Sequence, residues 1–498
     1  MSDRRPLLRR WLGQCAKNSG DQAHTNDTKV IRFNKHDGLN LCDLFSSILV
    51  SASVGAGKST SVFPLMNGAM LRIGGSLVIP TVKPDDTERY TRQAERAGRG
   101  EDIRVFRVEG DAFNALAFEQ SQLDDGGGQI ESLVSLITLP LQRQRRMGTG
   151  GDPHWKVASE ELTRSLATIF ILSGTRLSFR LIHETINTLP MHPDEVHDPD
   201  WQRSCPAWAA LKEAEVTAGL SGSQRQQLNA AGRHLLRVIP RTPAKTLMSI
   251  VQTISASLSP FVGELGEMIN AEHDTWSPLE LIEAPQVFIL DIPTQVYGPL
   301  GETLQRMIIT SIQRAIIRRR PDEIVPPAIM FSIDEYPQIC DPDDDIRFLA
   351  TGRDRRSFMC LGIQSLSALR NGARDVSNPQ AAEGLFSAPA IKVMGATADV
   401  EMLDLCSRQF STIPKARVSF GGSRPNGREG GESRWRPGQN YNLSIDLQPD
   451  VPGHEYLALK RGGPENNYIC EFYVSVAGRI WKASGKSSLK LAIRQRFD

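Results

Sequence analysis

Short apolar runs alternate with helical periodicity over the first quarter of the chain. Ser46-Ser47-Ile48-Leu49-Val50-Ser51 predicts a buried strand that ends at a glycine-rich turn; 75–80 and 103–108 predict two more. The stretches 60–73 and 85–98 between them carry apolar residues at three- and four-residue spacing. Strands alternating with helices predict a parallel sheet covered on both faces.

From about 125 to 280 helical periodicity dominates, with helices expected over 157–173, 206–217, 223–238 and 244–258. The breaker cluster 148–153 reads as a loop inside this block. The α/β pattern then resumes, with strands expected at 287–290, 328–333, 358–362 and 390–394. A long helix over 299–319 ends in Arg318-Arg319-Arg320, which places cations at the negative end of the helix dipole. Residues 413–440, rich in Gly, Arg, Ser and Pro, read as a flexible loop. A strand pair is expected at 468–474 and 479–481, turning at Ala477-Gly478. The predicted organisation is a lead-in segment (1–45), an α/β unit in two pieces (46–124 and 281–412), an all-α insertion (125–280), the loop 413–440, and C-terminal strands completing the α/β unit (441–498).

At 498 residues the chain exceeds one compact core, so two or three domains are expected. The formal net charge of +1 excludes a strongly basic protein that coats nucleic acid, while leaving room for a local basic channel. The seven cysteines stand singly with no Cys-x-x-Cys pair, which argues against a zinc ribbon and suits a reducing compartment. No stretch reaches the ~18–20 apolar residues that span a bilayer, and the basic N-terminus around Arg4–Leu12 lacks the apolar core of a signal peptide. A cytoplasmic protein is expected.

Ala52-Ser53-Val54-Gly55-Ala56-Gly57-Lys58-Ser59 follows a predicted strand and opens a predicted helix, the setting of a phosphate-binding loop. Backbone N–H groups of Gly55, Ala56, Gly57, Lys58, Ser59 and Thr60 are placed to cradle phosphates; Lys58 neutralises the β- and γ-phosphates, and the Ser59 hydroxyl takes Mg²⁺. Ala52 stands where such loops usually begin with glycine. The second motif is the apolar strand 328–333 running into Asp334-Glu335, stopped by Tyr336-Pro337. Asp334 at a strand's carboxyl end can hold the Mg²⁺ shell, and Glu335 can polarise an attacking water as general base. Gln364, past the strand 358–362, is placed to contact the γ-phosphate. Arg353, Arg355 and Arg356 precede that strand, and Arg353 or Arg356 could stabilise charge on a neighbouring subunit's nucleotide.

Taken in order, Gly57-Lys58-Ser59, Val82-Lys83-Pro84-Asp85, Phe113-Asn114-Ala115-Leu116, His154-Trp155, Lys245-Thr246, Asp334-Glu335-Tyr336-Pro337 and Gly362-Ile363-Gln364-Ser365 make the sequence similar to the type IV secretion coupling proteins, the conjugative DNA-transfer ATPases, over about residues 45–410. The resemblance implies a RecA-like nucleotide-binding domain related to the FtsK/HerA translocases, with an all-α domain inserted. It also implies ATP and Mg²⁺ as cofactors, a homo-oligomer in the form of a hexameric ring, and DNA or a protein–DNA complex as cargo. The family usually carries N-terminal transmembrane helices. None is read here, so the expectation is a soluble member that reaches the inner membrane through a membrane-embedded secretion component. For nucleic acid, Lys415, Arg417, Arg424, Arg428, Arg434 and Arg436 with Trp435, and the cluster Gln142-Arg143-Gln144-Arg145-Arg146, are the basic candidates. The competing reading is a nucleotide-gated regulatory or scaffold ATPase that translocates nothing; a metabolic kinase is disfavoured by the absence of an acceptor-site signature.

Overall fold

The structure is a computed structural model that describes residues 27–122, 127–147, 153–263, 265–319, 327–373, 380–410, 412–422 and 439–496. β1 (Lys29–Arg32) and β2 (Gly38–Asn40) form an antiparallel hairpin inside the expected lead-in segment. These strands are too short for alternation to stand out, and the hairpin is held from far along the chain. The Asp37 carboxylate accepts the N–H groups of Lys482 and Ala483, each at 2.9 Å.

The next seven strands are β3 (Ile48–Ser51), β4 (Ser76–Pro80), β5 (Ile103–Arg107), β6 (Val287–Asp291), β7 (Ile329–Ile333), β8 (Ser357–Ile363) and β9 (Ile391–Gly395). All seven pair in parallel, in the order β9-β3-β8-β7-β4-β6-β5. β3, β4, β7, β8 and β9 are buried at every position, as their mostly apolar composition requires of a sheet covered on both faces. β10 (Thr412–Gly422) and β11 (Gln439–Pro449) pair only with each other, and β12 (Ile469–Val476) and β13 (Leu489–Arg494) extend the main sheet antiparallel beyond β9. The result is a nine-stranded, mostly parallel sheet with an all-α block inserted between β5 and β6.

Among the described residues that block contains helices and no strand, including Ile130–Met147, Pro153–Ser173, Phe179–Asn187, Pro206–Val216, Gly222–Arg233 and Ala244–Val262. The helix Thr294–Arg318 breaks at Gly298 (φ 53°), so its regular part starts at Pro299, where the spacing placed it.

Two expectations are corrected. Residues 412–422 and 439–449 form an antiparallel ribbon, not a flexible loop; the remainder of that loop, with Arg424, Arg428, Arg434, Trp435 and Arg436, lies outside the described residues. Pro414, Ala416 and Val418 pair with Leu447, Ile445 and Leu443, an alternation hidden in sequence by the adjoining glycines and arginines. The second C-terminal strand begins at Leu489, not at 479. Trp481 is buried, its indole N–H donating to the Val474 and Ser487 carbonyls at 3.2 and 3.1 Å, which folds 479–481 inward as a loop. Cys42, Cys205, Cys340, Cys360, Cys406 and Cys470 are free thiols. No helix among the described residues is long and apolar enough to cross a membrane.

Candidate nucleotide site at the carboxyl edge of the sheet

Parallel pairing brings the carboxyl ends of β3, β7 and β8 to one edge, with β8 between the other two. Open parallel sheets place their ligands at such an edge. β3 ends at Ser51, and the loop after it is fastened to its neighbours: the Ala52 N–H donates to the Ile363 carbonyl at 3.3 Å and the Ser53 N–H to the Ala396 carbonyl at 2.9 Å. Ala52 is fully buried, so its methyl group sits in the core beneath the loop. Gly55 is exposed and Ala56 buried. Gly57 has φ 84°, and a Cβ there would lie 2.2 Å from the Cys470 Sγ on β12, so the position takes neither an L side chain's conformation nor its volume. The helix then opens with a wide π turn, Lys58–Val62, and continues as an α-helix over Phe63–Arg72.

Lys58 is 5% exposed, and its Nζ donates to the Ala52 carbonyl at 2.7 Å. Burial pulls its pKa below the usual lysine value, opposed by the charges of Asp334 and Glu335. Asp334 follows β7 directly. Burial, relieved in part by the Ser59 hydroxyl and Lys58, pushes its carboxyl up to about 6. Its Oδ1 is buried with no hydrogen-bond partner. Gly362 on β8 makes this approach possible, since a Cβ there would meet the Asp334 carbonyl oxygen at 2.0 Å. Gln364, at the end of β8, donates through Nε2 to both Glu335 oxygens, at 2.7 and 2.9 Å. Gln364, expected to contact a γ-phosphate, stands beside Glu335 because β8 runs beside β7.

Thr60 lies on the same turn, with its hydroxyl engaged elsewhere: Gln495 Nε2 donates to Thr60 Oγ1 at 2.8 Å, and the Arg496 N–H donates to the Thr60 carbonyl at 2.6 Å. The C-terminal hairpin therefore backs the loop, with Cys470 behind Gly57 and Gln495 on Thr60. Sequence reading missed this support, and no local signal could have revealed it. It also missed Arg89, which follows Val82-Lys83-Pro84-Asp85. Arg89 pairs with Asp86 at 2.8 Å and lends its charge to the field at Asp334.

Arg353, Arg355 and Arg356 precede β8 and so sit at the opposite, amino edge. Arg353 is exposed with its Nη2 3.7 Å from the Cys42 Sγ; Arg356 has φ 53° and its guanidinium lies 5.5 Å from the Phe45 ring centre. The length of β8 puts them roughly 20 Å from Gln364, beyond reach of a nucleotide on their own chain. Of the basic cluster 142–146, Arg143 is buried, which removes it as a nucleic-acid contact; the side chains of 144–146, and those of His154 and Trp155, lie outside the described residues. Lys415 and Arg417 are exposed on the β10–β11 ribbon, opposite Asp446 and Ser444.

A central parallel sheet with a glycine-rich loop after β3, an acidic pair after β7 and a polar residue after the strand between them defines a RecA-like P-loop protein. The chain belongs to the type IV secretory system conjugative DNA transfer family, whose sequence profile matches residues 13–419. Similar solved structures include the bacterial conjugative coupling protein TrwBΔN70 in its trigonal form with sulphate, at 15% identity and a TM-score of 0.59, covering 97% of this chain and 92% of that chain. TrwB with ADP and Mg²⁺ (14%, 0.58, 97% and 91%) and TrwB with a non-hydrolysable ATP analogue (14%, 0.58, 97% and 92%) align over the same extent. At these identities the likeness is one of fold. No curated protein sequence matches the chain.

Proposed function

We propose that this chain is the ATP-hydrolysing motor of a conjugative DNA-transfer system, working as a homo-oligomer on DNA or a protein–DNA complex. The observation that carries the reading is the convergence of Lys58, Ser59, Asp334, Glu335 and Gln364 at one sheet edge, although they lie up to about 300 residues apart. The similar protein TrwB has been captured with ADP and Mg²⁺ and with an ATP analogue, which supports nucleotide binding. The partnerless buried Oδ1 of Asp334 beside the Ser59 hydroxyl fits a hard cation that takes oxygen ligands, so Ser59 and Asp334 would hold Mg²⁺. Bound there, the cation would neutralise charge on the β- and γ-phosphates.

Within this reading Lys58 leaves the Ala52 carbonyl for phosphate oxygens, a charge-assisted exchange. Glu335 orients and deprotonates the attacking water, and Gln364 holds Glu335 in one rotamer, so the general base is pre-aimed. Arg353 or Arg356 completes the site of the neighbouring subunit. A membrane-embedded secretion component receives the cargo. The test is ATP turnover of the parent, Lys58→Ala and Glu335→Gln, each with and without single- and double-stranded DNA. DNA-stimulated hydrolysis that both variants lose is the expected result. Hydrolysis indifferent to DNA points instead to a regulatory ATPase, and parental turnover in both variants rejects the site.

A further inference from the structure

Arg143 belongs to the all-α block by chain position and to the Asp334–Glu335 turn by contact. It lies on the helix Ile130–Met147 and is 8% exposed. Its Nη1 donates to the Gln338 carbonyl at 2.8 Å and its Nη2 to the Cys340 carbonyl at 3.1 Å, while Nη1 stands 3.7 Å from Glu302 Oε2. Gln338 and Cys340 close the one-turn helix Tyr336–Ile339, whose N-cap is Glu335 itself. The last carbonyls of a helix lack partners within it, and a cation near them also meets the negative end of the dipole. Arg143 thus caps, from a distant segment, the short helix that carries Glu335 at its other end.

Three further contacts hold the same segment. The Tyr336 hydroxyl donates to Asp345 at 2.7 Å, the Asp341 N–H to Asp345 at 2.9 Å, and the Thr294 hydroxyl to the Gln338 side chain at 2.6 Å. Those partners belong to the α/β unit; of the four holds, Arg143 is the one mounted on the helical block. The block's first helix is also fastened near its start, where Arg314 donates to the Ser132 carbonyl at 2.8 Å and the Ser135 hydroxyl at 2.6 Å, with Asp344 at 3.5 Å. Arg314 grips the same helix and has no bond to the segment 336–340 among the contacts described.

We propose that Arg143 is a positioning residue for Glu335, through which the helix Ile130–Met147 sets the placement of the general base. The consequence is regulatory: a ligand or partner that shifts the helical block changes the rate of hydrolysis without touching the nucleotide. The inference rests on the ATPase reading above. A misplacement of order 1 Å at a reacting group costs up to about a hundredfold in rate, so a small shift of this one-turn helix is enough to change turnover.

The test compares Arg143→Ala, Arg143→Lys and Arg314→Ala in the full chain, measuring kcat, KM, affinity for a fluorescent ATP analogue and the thermal midpoint. Arg143→Ala is expected to lower kcat by about tenfold or more, with analogue affinity within about twofold of the parent. Arg143→Lys, whose single ammonium reaches one carbonyl, falls between; should the alanine variant fail to fold, the lysine variant carries the same comparison. Arg314→Ala keeps kcat near the parental value. In a Glu335→Gln background Arg143→Ala lowers the rate no further, because there is no base left to place. Parental kcat in Arg143→Ala overturns the proposal. So does a fall in kcat matched by equal losses in analogue affinity and thermal midpoint, an equal fall in Arg314→Ala, or a full additional fall on top of Glu335→Gln. Lys58→Ala and Glu335→Gln serve as controls: if both keep parental turnover the ATPase reading itself fails, whereas if both are inactive and Arg143→Ala is not, only this inference does.

Discussion

At Lys58 a buried ammonium sits on a backbone carbonyl within the field of two carboxylates. Lys58→Ala removes that cation and is expected to lower ATP turnover by about a hundredfold or more, read in a steady-state assay. Glu335→Gln keeps shape and the Gln364 contact while removing the base, so ATP binds and persists in single-turnover experiments. Asp334 carries a pH signature. Its folded pKa, raised from 3.8 to about 6, means the folded chain holds an extra proton between those values, so this group's contribution to stability falls as pH rises through that window. A metal must displace the same proton below about 6, so Mg²⁺ affinity is expected to drop by about tenfold per pH unit there, measurable by titration calorimetry. Gly362→Ala drives a methyl group onto the Asp334 carbonyl and should destabilise the protein by about 3 kcal/mol, seen in denaturant unfolding.

Among the elements, β8 does most to organise the site. It separates β3 from β7, delivers Gln364 to Glu335 at one end, and carries Arg353–Arg356 at the other. If Arg353 completes a neighbour's site, Arg353→Ala lowers turnover with ATP binding retained. Mixing it with inactive Lys58→Ala then restores some activity, because a mixed oligomer contains one intact composite site; no rescue in confirmed mixed oligomers speaks against a shared site. The long helix Thr294–Arg318 is anchored to the helix Pro342–Thr351 by Arg306 and Asp345, 2.7 Å apart and both almost fully buried. Gln313 and the Tyr336 hydroxyl also donate to Asp345. Asp345→Ala strands the Arg306 charge and is expected to cost about 3–5 kcal/mol.

For the whole molecule, a net charge of +1 means that any grip on DNA must come from locally concentrated cations. Affinity for DNA should fall by about 0.7–0.9 log units per log unit of salt for each phosphate contact. Neutralising Arg424, Arg428, Arg434 and Arg436 together should flatten that slope and reduce DNA-stimulated ATPase, while basal hydrolysis survives. A slope unchanged in that variant places the contacts elsewhere.

The residues alone determined the parallel α/β architecture, the helical insertion and the two motifs. Unbroken apolar runs, helical periodicity and a Gly-Lys-Ser turn are local signals, each written within a few consecutive positions. The ribbon β10–β11 and the hairpin β1–β2 escaped because their strands are short or adjoin segments rich in glycine and arginine. What only the tertiary structure decided is which residues meet. That β8 lies between β3 and β7 is a matter of strand order, which no short window records, and it turned Gln364 onto Glu335. Burial of Arg143 against the carbonyls of Gln338 and Cys340 drew a residue that reads as a surface cation into the interior, onto the short helix that follows Glu335. The backing of the phosphate loop by Cys470 and Gln495 joins positions more than 400 apart in the chain. Local propensity specifies the elements; the satisfaction of buried charges and carbonyls across the fold specifies the site.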